Sequence, residues 1–513
     1  GPQTAGHRML HPEGDVSNAR FQTRGGAANR RRSWRLGCRQ DKGDARPLSA
    51  RAYRASVLDR AATRPDGDTE KDRETVRSME TWLACRQRRL GVVGLVCLLV
   101  ITSLVTPLSL DMYTPAIPHM TDYFDADAGT VNLTLVDYYL FFAVGLLLFG
   151  PVSDRLGRKP VLIGGVVAYV VASVLCAMAF DIWMLVVTRV LQALGAGATS
   201  AVSTAVVKDA IAVDKREAVL SVVQVMFVIG PVLAPVVGAL VLQVADWRMT
   251  FWVLALIGSG CLVLVLLFEE TLPAEERVQT GALGTLKNLA VVAKNKGFTV
   301  FLLVTALFNL PFMAYIAVGS YVYITFFGLS ELAYSCYFAV AALVTATGPL
   351  IWLFASRFVS ARTFTTIMIA VGAAAGGAML ALGSLSPVLF CLTFVAFALA
   401  EACIRPYSTN ILLSQQEHDT GAAASLINFA HTAVGSVGML VAVMPWPNFV
   451  VGIGVIIVVT MAAAGGIWWA LLRSNIPLVG IKQHPATAGS SAESGELEAA
   501  AAGASEQVPE QPA

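Results

Sequence analysis

The stretch GPVSDRLGRKP, residues 150–160, interrupts one apolar run and opens the next. Asp154, Arg155, Arg158 and Lys159 crowd into it, between segments apolar enough to cross a bilayer. Hydrocarbon cannot solvate charges this dense, so the stretch is expected to be a short loop at a membrane surface. Its basic excess assigns that surface to the cytoplasm. The opening Gly150-Pro151 and the closing run from Gly157 to Pro160 predict a tight, rigid turn between two helices.

Working outward, composition supports a membrane chain. Of 513 residues, 56% are apolar and only 14% charged, with a formal net charge of +2. Soluble domains carry nearly twice that share of charge. More than half of the Lys and Arg lie within the first 90 residues, which lack apolar periodicity and read as a disordered basic tail. Met79 offers a natural start, with Gly1-Pro2 as a cleavage scar; alternatively the tail binds anionic headgroups. No cleavable signal is expected before the first span. Residues 474–513, rich in Ala, Glu, Gly and Ser, read as a second disordered tail. The eight cysteines show no paired spacing, and Cys97, Cys176, Cys261, Cys336, Cys391 and Cys403 fall inside apolar runs. Neither a disulfide framework nor a metal site is indicated. No GxxxxGK[ST] loop or catalytic triad appears, so ATP coupling and enzymatic catalysis are not expected, and no nucleic-acid partner is indicated.

About 20 residues cross the hydrocarbon as a helix. Twelve such runs follow, near 92–118, 131–151, 160–180, 183–207, 218–243, 249–268, 299–327, 332–355, 363–383, 387–410, 421–444 and 448–472. Basic residues recur in alternate connectors: Arg86 to Arg89, 154–159, Lys208 to Arg216, Lys287 to Lys296, Arg357 with Arg362, and Arg473. The opposite connectors carry Asp122, Asp125, Asp127, Asp181, Asp246 and Glu331, with Arg248 a lone base. This alternation puts both termini in the cytoplasm. The connector at 411–420 lacks Lys and Arg. The long connector 269–298 separates a six-helix bundle at 91–268 from another at 299–473. Gly348-Pro349 with Arg357 and Arg362 echoes the 150–160 stretch, as parallel repeats would. The expected fold is an all-α integral membrane protein of twelve helices in two six-helix bundles.

Ionisable residues within spans are costly. Asp111 precedes the outer end of span 1 by about eight residues, while Asp137 and Arg189 enter spans 2 and 4 by about seven, all roughly 10–12 Å deep at 1.5 Å per residue. One Arg can neutralise one carboxylate at that depth, leaving the other costly unless protonated. These groups suit proton or substrate coupling; a structural ion pair is the alternative. In span 5, GPVLAPVVG at 230–238 combines Pro231 and Pro235 with Gly230 and Gly238. A kinked, closely packed helix at the interface of the halves is expected. In span 10, Glu401 and Arg405 share a face and favour a structural or gating pair. Asn428 and His431 share a face of span 11, and a packing role is favoured for His431. Tyr113, Asn309, Tyr315 and Tyr321, together with Glu401, Arg405, Asn428 and His431, form the candidate cavity lining. Asp209, beside Lys208, lies where it can pair with the 154–159 charges or end a solvated helix.

The 150–160 stretch resembles the signature loop of the major facilitator superfamily. That resemblance implies a latch between the two halves, helping to govern alternating access, through Gly150, Asp154, Arg155, Gly157, Arg158, Lys159 and Asp209. TPLSLDMYTPAIP at 106–118, RVLQALGAG at 189–197, GPVLAPVVG, and AYIAVGSYVYITFFGLS at 314–330 further resemble the drug:proton antiporter branch, notably its bicyclomycin and chloramphenicol resistance exporters. By that resemblance Asp111 is the embedded acid of span 1, and Arg189 the buried base of span 4 with Gln192 one turn on. Ala193 departs from a frequent Gly. The resemblance implies proton-driven efflux of small amphipathic compounds by a plasma-membrane monomer without a cofactor. Transport of a physiological solute (an amino acid, sugar or siderophore) and a transporter-fold sensor are the alternatives.

Overall fold

A computed structural model describes residues 87–277, 289–415 and 420–481. Among them are twelve helices long and apolar enough to cross a membrane. The first six are α1 (Gly91–Phe124), α2 (Ala128–Leu156), α3 (Arg158–Ala177), α4 (Ile182–Ala210), α5 (Arg216–Leu242) and α6 (Arg248–Leu267). The second six are α7 (Lys296–Phe326), α8 (Glu331–Ala355), α9 (Ala361–Leu382), α10 (Pro387–Ser414), α11 (Thr420–Ala442) and α12 (Phe449–Arg473). Each expected span finds its helix. Side-chain caps start many of them by occupying orphan backbone donors. Asp127 accepts from Thr130 N, Asp181 from Trp183 N, Ser330 from Ala333 N and Asn448 from Val451 N. Hydrogen bonds from Thr130 hold the exposed Asp127 carboxyl below the usual carboxylate range.

The 150–160 stretch corrects its reading as a loop. Gly150, Pro151, Asp154 and Arg155 continue α2, and Arg158 already opens α3, so Gly157 alone makes the turn. Its φ of 108° belongs to glycine, and a Cβ there would meet the Glu270 carboxylate at 2.5 Å. A proline removes only one helical hydrogen bond, and the apolar requirement of the span outlasts it. The echo behaves differently: at Gly348-Pro349, α8 breaks into Glu331–Thr345 and Gly348–Ala355. The expected tails lie largely outside the described residues, at 1–86 and 482–513, as do 278–288 of the central loop and 416–419. Where they are described, order replaces expectation. Gln87 exchanges hydrogen bonds with the Glu269 backbone, and Val479 does so with the Gln415 side chain.

The connectors carrying Gly157, Asp214 and Lys215, and Arg357 define a basic face; those with Asp127, Asp181, Asp246 and Ser330 define an acidic one. Within the first half α4 packs on α2 and α3, and α1 on α5; within the second α7 packs on α11 and α12. The halves meet where α2 lies on α11 and α5 on α8. Among the described residues, four polar contacts stitch this seam toward the acidic face. His119 meets Glu331 at 2.7 Å, Tyr334 donates to Thr114 at 3.2 Å, Asn132 to the Met439 carbonyl at 2.9 Å, and Ser335 to the Pro235 carbonyl at 2.8 Å. Arg248, the lone base there, reaches Tyr123 and the Ala179 carbonyl.

The halves share one close contact. A Cβ on Gly238 of α5 would overlap the Met112 carbonyl of α1, and one on Gly438 of α11 would overlap the Leu310 carbonyl of α7. Backbone thus lies on backbone at matching places. Gly238→Ala and Gly438→Ala should each cost about 1–3 kcal/mol through overpacking, whereas Gly377, with nothing nearby, should tolerate Ala. Melting temperatures of the purified variants in detergent check this.

Candidate functional site

Among the described residues two polar centres stand out in the membrane-spanning region, one inside the first half and one between the halves. The first is built around Arg189 of α4, which is fully buried. Its Nε donates to the Thr134 carbonyl at 3.2 Å. Nη1 donates to the Ser109 carbonyl at 3.1 Å and to Gln192 Oε1 at 2.6 Å, and Nη2 reaches the Tyr113 hydroxyl at 3.4 Å. The guanidinium also lies over Tyr138 and Tyr113, at 4.1 and 4.6 Å from their ring centres. Gln192 passes the network to Ser173 at 2.8 Å, and Ser109 bonds Tyr169 at 2.7 Å. Helices α1, α2, α3 and α4 are thereby tied to one cation.

No carboxylate oxygen lies within ion-pair distance of Arg189 among the described residues, which corrects the expected neutralisation by Asp111 or Asp137. Equal depth along helix axes leaves azimuth open, and the guanidinium finds carbonyls, a side-chain amide and aromatic faces instead. Asp111 ends the α-helical part of α1, is 2% exposed, and its Oδ1 has no hydrogen-bond partner. Asp137 is half-buried.

The second centre is a cavity of about 530 Å³ on the basic side of the stitched seam. Glu401 and Arg405 of α10 line it, with Gln224 and Pro231 of α5, Phe338 of α8, and Phe312 and Tyr315 of α7. Arg405 Nη1 stands 3.5 Å from Glu401 Oε1. The Arg405 side chain is 48% exposed and that of Glu401 only 8%. Tyr315 stacks on Phe394 with ring centres 3.5 Å apart, making one wall aromatic. Among the described residues, no cluster of His, Cys, Asp and Glu could hold a metal ion.

The Major Facilitator Superfamily profile matches residues 99–439. The chain belongs to that superfamily. It is therefore a multi-pass membrane transporter rather than an enzyme. An MFS-type transporter of Bacillus subtilis (strain 168), YdgK, is 26% identical over 350 residues, covering 67% of this chain and 87% of that protein. A chloramphenicol resistance protein of Pseudomonas aeruginosa is 34% identical over 50% of this chain and 60% of its own length. Multidrug resistance protein MdtL of Escherichia coli is 36% identical over 33% of this chain and 44% of its own length. The chain thus spans less than two thirds of these last two relatives. Solved structures of the same fold include the peptide transporter POT in complex with sulfate, at TM-score 0.62 and 15% identity, covering 77% of this chain and 97% of that one. Another is a bacterial homolog of the lysosomal transporter Spinster in an inward-facing, unoccupied conformation, at TM-score 0.60 and 14% identity, covering 74% and 97%.

Within this major facilitator fold the polar contacts of the charged 150–160 stretch do not reach the second half among the described residues. Arg158 pairs with Asp154 at 2.5 Å and Asp209 at 2.8 Å, and its backbone N and that of Lys159 donate to Glu270. Asp154 and Asp209 belong to the first half and Glu270 to the connector that follows α6, so here the stretch is tied to its own half and to that connector. Of the span 5 motif, Pro231 lines the cavity and Gly230 lies on Pro107 of α1. Of the expected lining residues, Tyr315, Glu401 and Arg405 line this cavity, whereas Tyr113, Asn309, Tyr321, Asn428 and His431 do not. Tyr113 serves Arg189, and Asn309 donates to the His431 carbonyl at 2.7 Å. His431 packs its Nδ1 on the Ile427 carbonyl. Sequence reasoning missed Gln224, Phe312, Phe338 and Phe394, which carry no signal apart from ordinary apolar or helix-end positions.

Arg189→Lys should lower the melting temperature more than Arg405→Lys. A single ammonium cannot hold the fork of partners around Arg189, and charge-assisted bonds are worth about 1.5–3 kcal/mol each.

Proposed function

We propose that the chain exports small amphipathic compounds in exchange for protons by alternating access. The observation carrying this reading is the aromatic-walled cavity on the basic side of a seam stitched toward the acidic face. With the basic face cytoplasmic, as the positive-inside rule assigns it, this arrangement presents the cavity to the cell interior. The reading places the protein in the plasma membrane with both termini cytoplasmic, working as a monomer and without a cofactor.

The chloramphenicol and multidrug resistance relatives support an amphipathic cargo. Asp111 supplies the coupling group: it is buried in the first half, with no cation within ion-pair distance among the described residues. Binding a proton removes a charge that its surroundings do not neutralise, and losing it requires water to reach the carboxyl. Reorganisation of the seam provides that exchange. A charge crossing the membrane is worth about 2.3 kcal/mol per 100 mV, enough for tens-fold accumulation.

Proteoliposomes with an acidic interior test the reading. An amphipathic compound such as chloramphenicol should accumulate inside as protons leave, and a protonophore should abolish accumulation. Asp111→Asn should reduce it by about tenfold or more, a loss of about 1.4 kcal/mol or greater. Accumulation indifferent to both the gradient and Asp111→Asn would overturn the proposal.

A further inference from the structure

The cavity holds one acid, and its surroundings define what that acid can bind. Glu401 is 6% exposed and lines the cavity, and its carboxylate makes no hydrogen bond among the described residues. Its one ion-pair partner among the described residues, Arg405, stands at 3.5 Å, too far for a hydrogen bond, on a side chain half open to solvent. Such a pair is weak, since an exposed partner exchanges readily with water. Phe312, Tyr315, Phe338 and Phe394 supply aromatic surface in the same cavity. Aromatic faces together with a carboxylate are the chemistry that holds an organic ammonium. They offer little to an organic anion. Phe394 and Glu401 lie two turns apart on one face of α10, a separation of about 10 Å. The volume of about 530 Å³ falls within the range of drug-sized pockets.

We infer that Glu401 receives the cationic centre of an amphipathic ligand whose flat apolar end lies on Tyr315 and Phe394, the ligand displacing Arg405 from the carboxylate. This inference rests on the proposed export function and adds monovalent aromatic cations to its cargo, as the class that Glu401 holds by charge. It also separates two tasks: the cargo's charge is met in the second half by Glu401, while Asp111 of the first half remains free for the proton. Arg405 then acts as a resident counter-ion that occupies the acid when no cargo is present. The cargo and the arginine compete for one carboxylate.

That competition gives the test its sign. Binding of ethidium, an aromatic cation, and of chloramphenicol, which is uncharged, is measured at equilibrium on the full chain in detergent, without a gradient. Glu401→Gln should weaken ethidium binding by about tenfold or more, about 1.4 kcal/mol, and leave chloramphenicol within about twofold. Arg405→Ala should tighten ethidium binding, because it removes the competitor. A merely structural pair would instead lose both ligands in both variants. Unchanged ethidium binding in Glu401→Gln, or weakened ethidium binding in Arg405→Ala, overturns the inference; the second variant decides if the first does not fold. Failure of proton coupling would appear only in the gradient assay and leave this charge-selective binding intact.

Discussion

Hydrocarbon offers no partner to a charge, so every ion within the spans must be answered by the protein itself. Arg189 shows how completely that can be done without an opposite charge. Two backbone carbonyls, a side-chain amide, a phenol and two ring faces surround it. These partners come from α1, α2 and α4 itself, and satisfying the cation fixes the mutual rotation of these helices. The first half is therefore organised around a group that would be intolerable if any one helix turned away. Removing its partners singly would leave a buried donor unmet, the costly side of hydrogen-bond energetics.

The same constraint explains what could be read in advance. Span number, order and alternation were legible because length, hydropathy and connector charge are one-dimensional properties of a chain. The turn at 157 was legible as a turn, yet its extent was not. Gly150-Pro151 looks like a break locally, but the apolar span carries the helix past it, and only Gly157 adopts a conformation that other residues avoid. Depth was legible too, from residue counts. Azimuth was not, and so Asp111 and Arg189 share a depth without sharing a bond.

The cavity was the least legible part. Glu401 and Arg405 could be paired from their spacing, and the structure keeps that pair. What converts an i, i+4 pair into part of a site is the wall around it. Phe312, Phe338 and Phe394 are indistinguishable in sequence from residues facing lipid, and tertiary packing alone decides which side they see.

The two halves repeat a backbone contact and diverge in chemistry. Asn309 precedes Leu310 as Asp111 precedes Met112, and the carbonyls of Leu310 and Met112 each receive a close glycine from the partner helix. The position that carries an acid in the first half thus carries an amide in the second. The amide is spent on structure: Asn309 donates to the His431 carbonyl and reaches Tyr139 across the seam. A carboxylate cannot donate either bond, so the second half keeps its inter-helix tie at this level only by giving up ionisation there. An acid and a base of this half stand instead at Glu401 and Arg405, closer to the basic face and beside open space. Repetition of the scaffold with displacement of the charge leaves one half closed around its cation and the other half open around its acid.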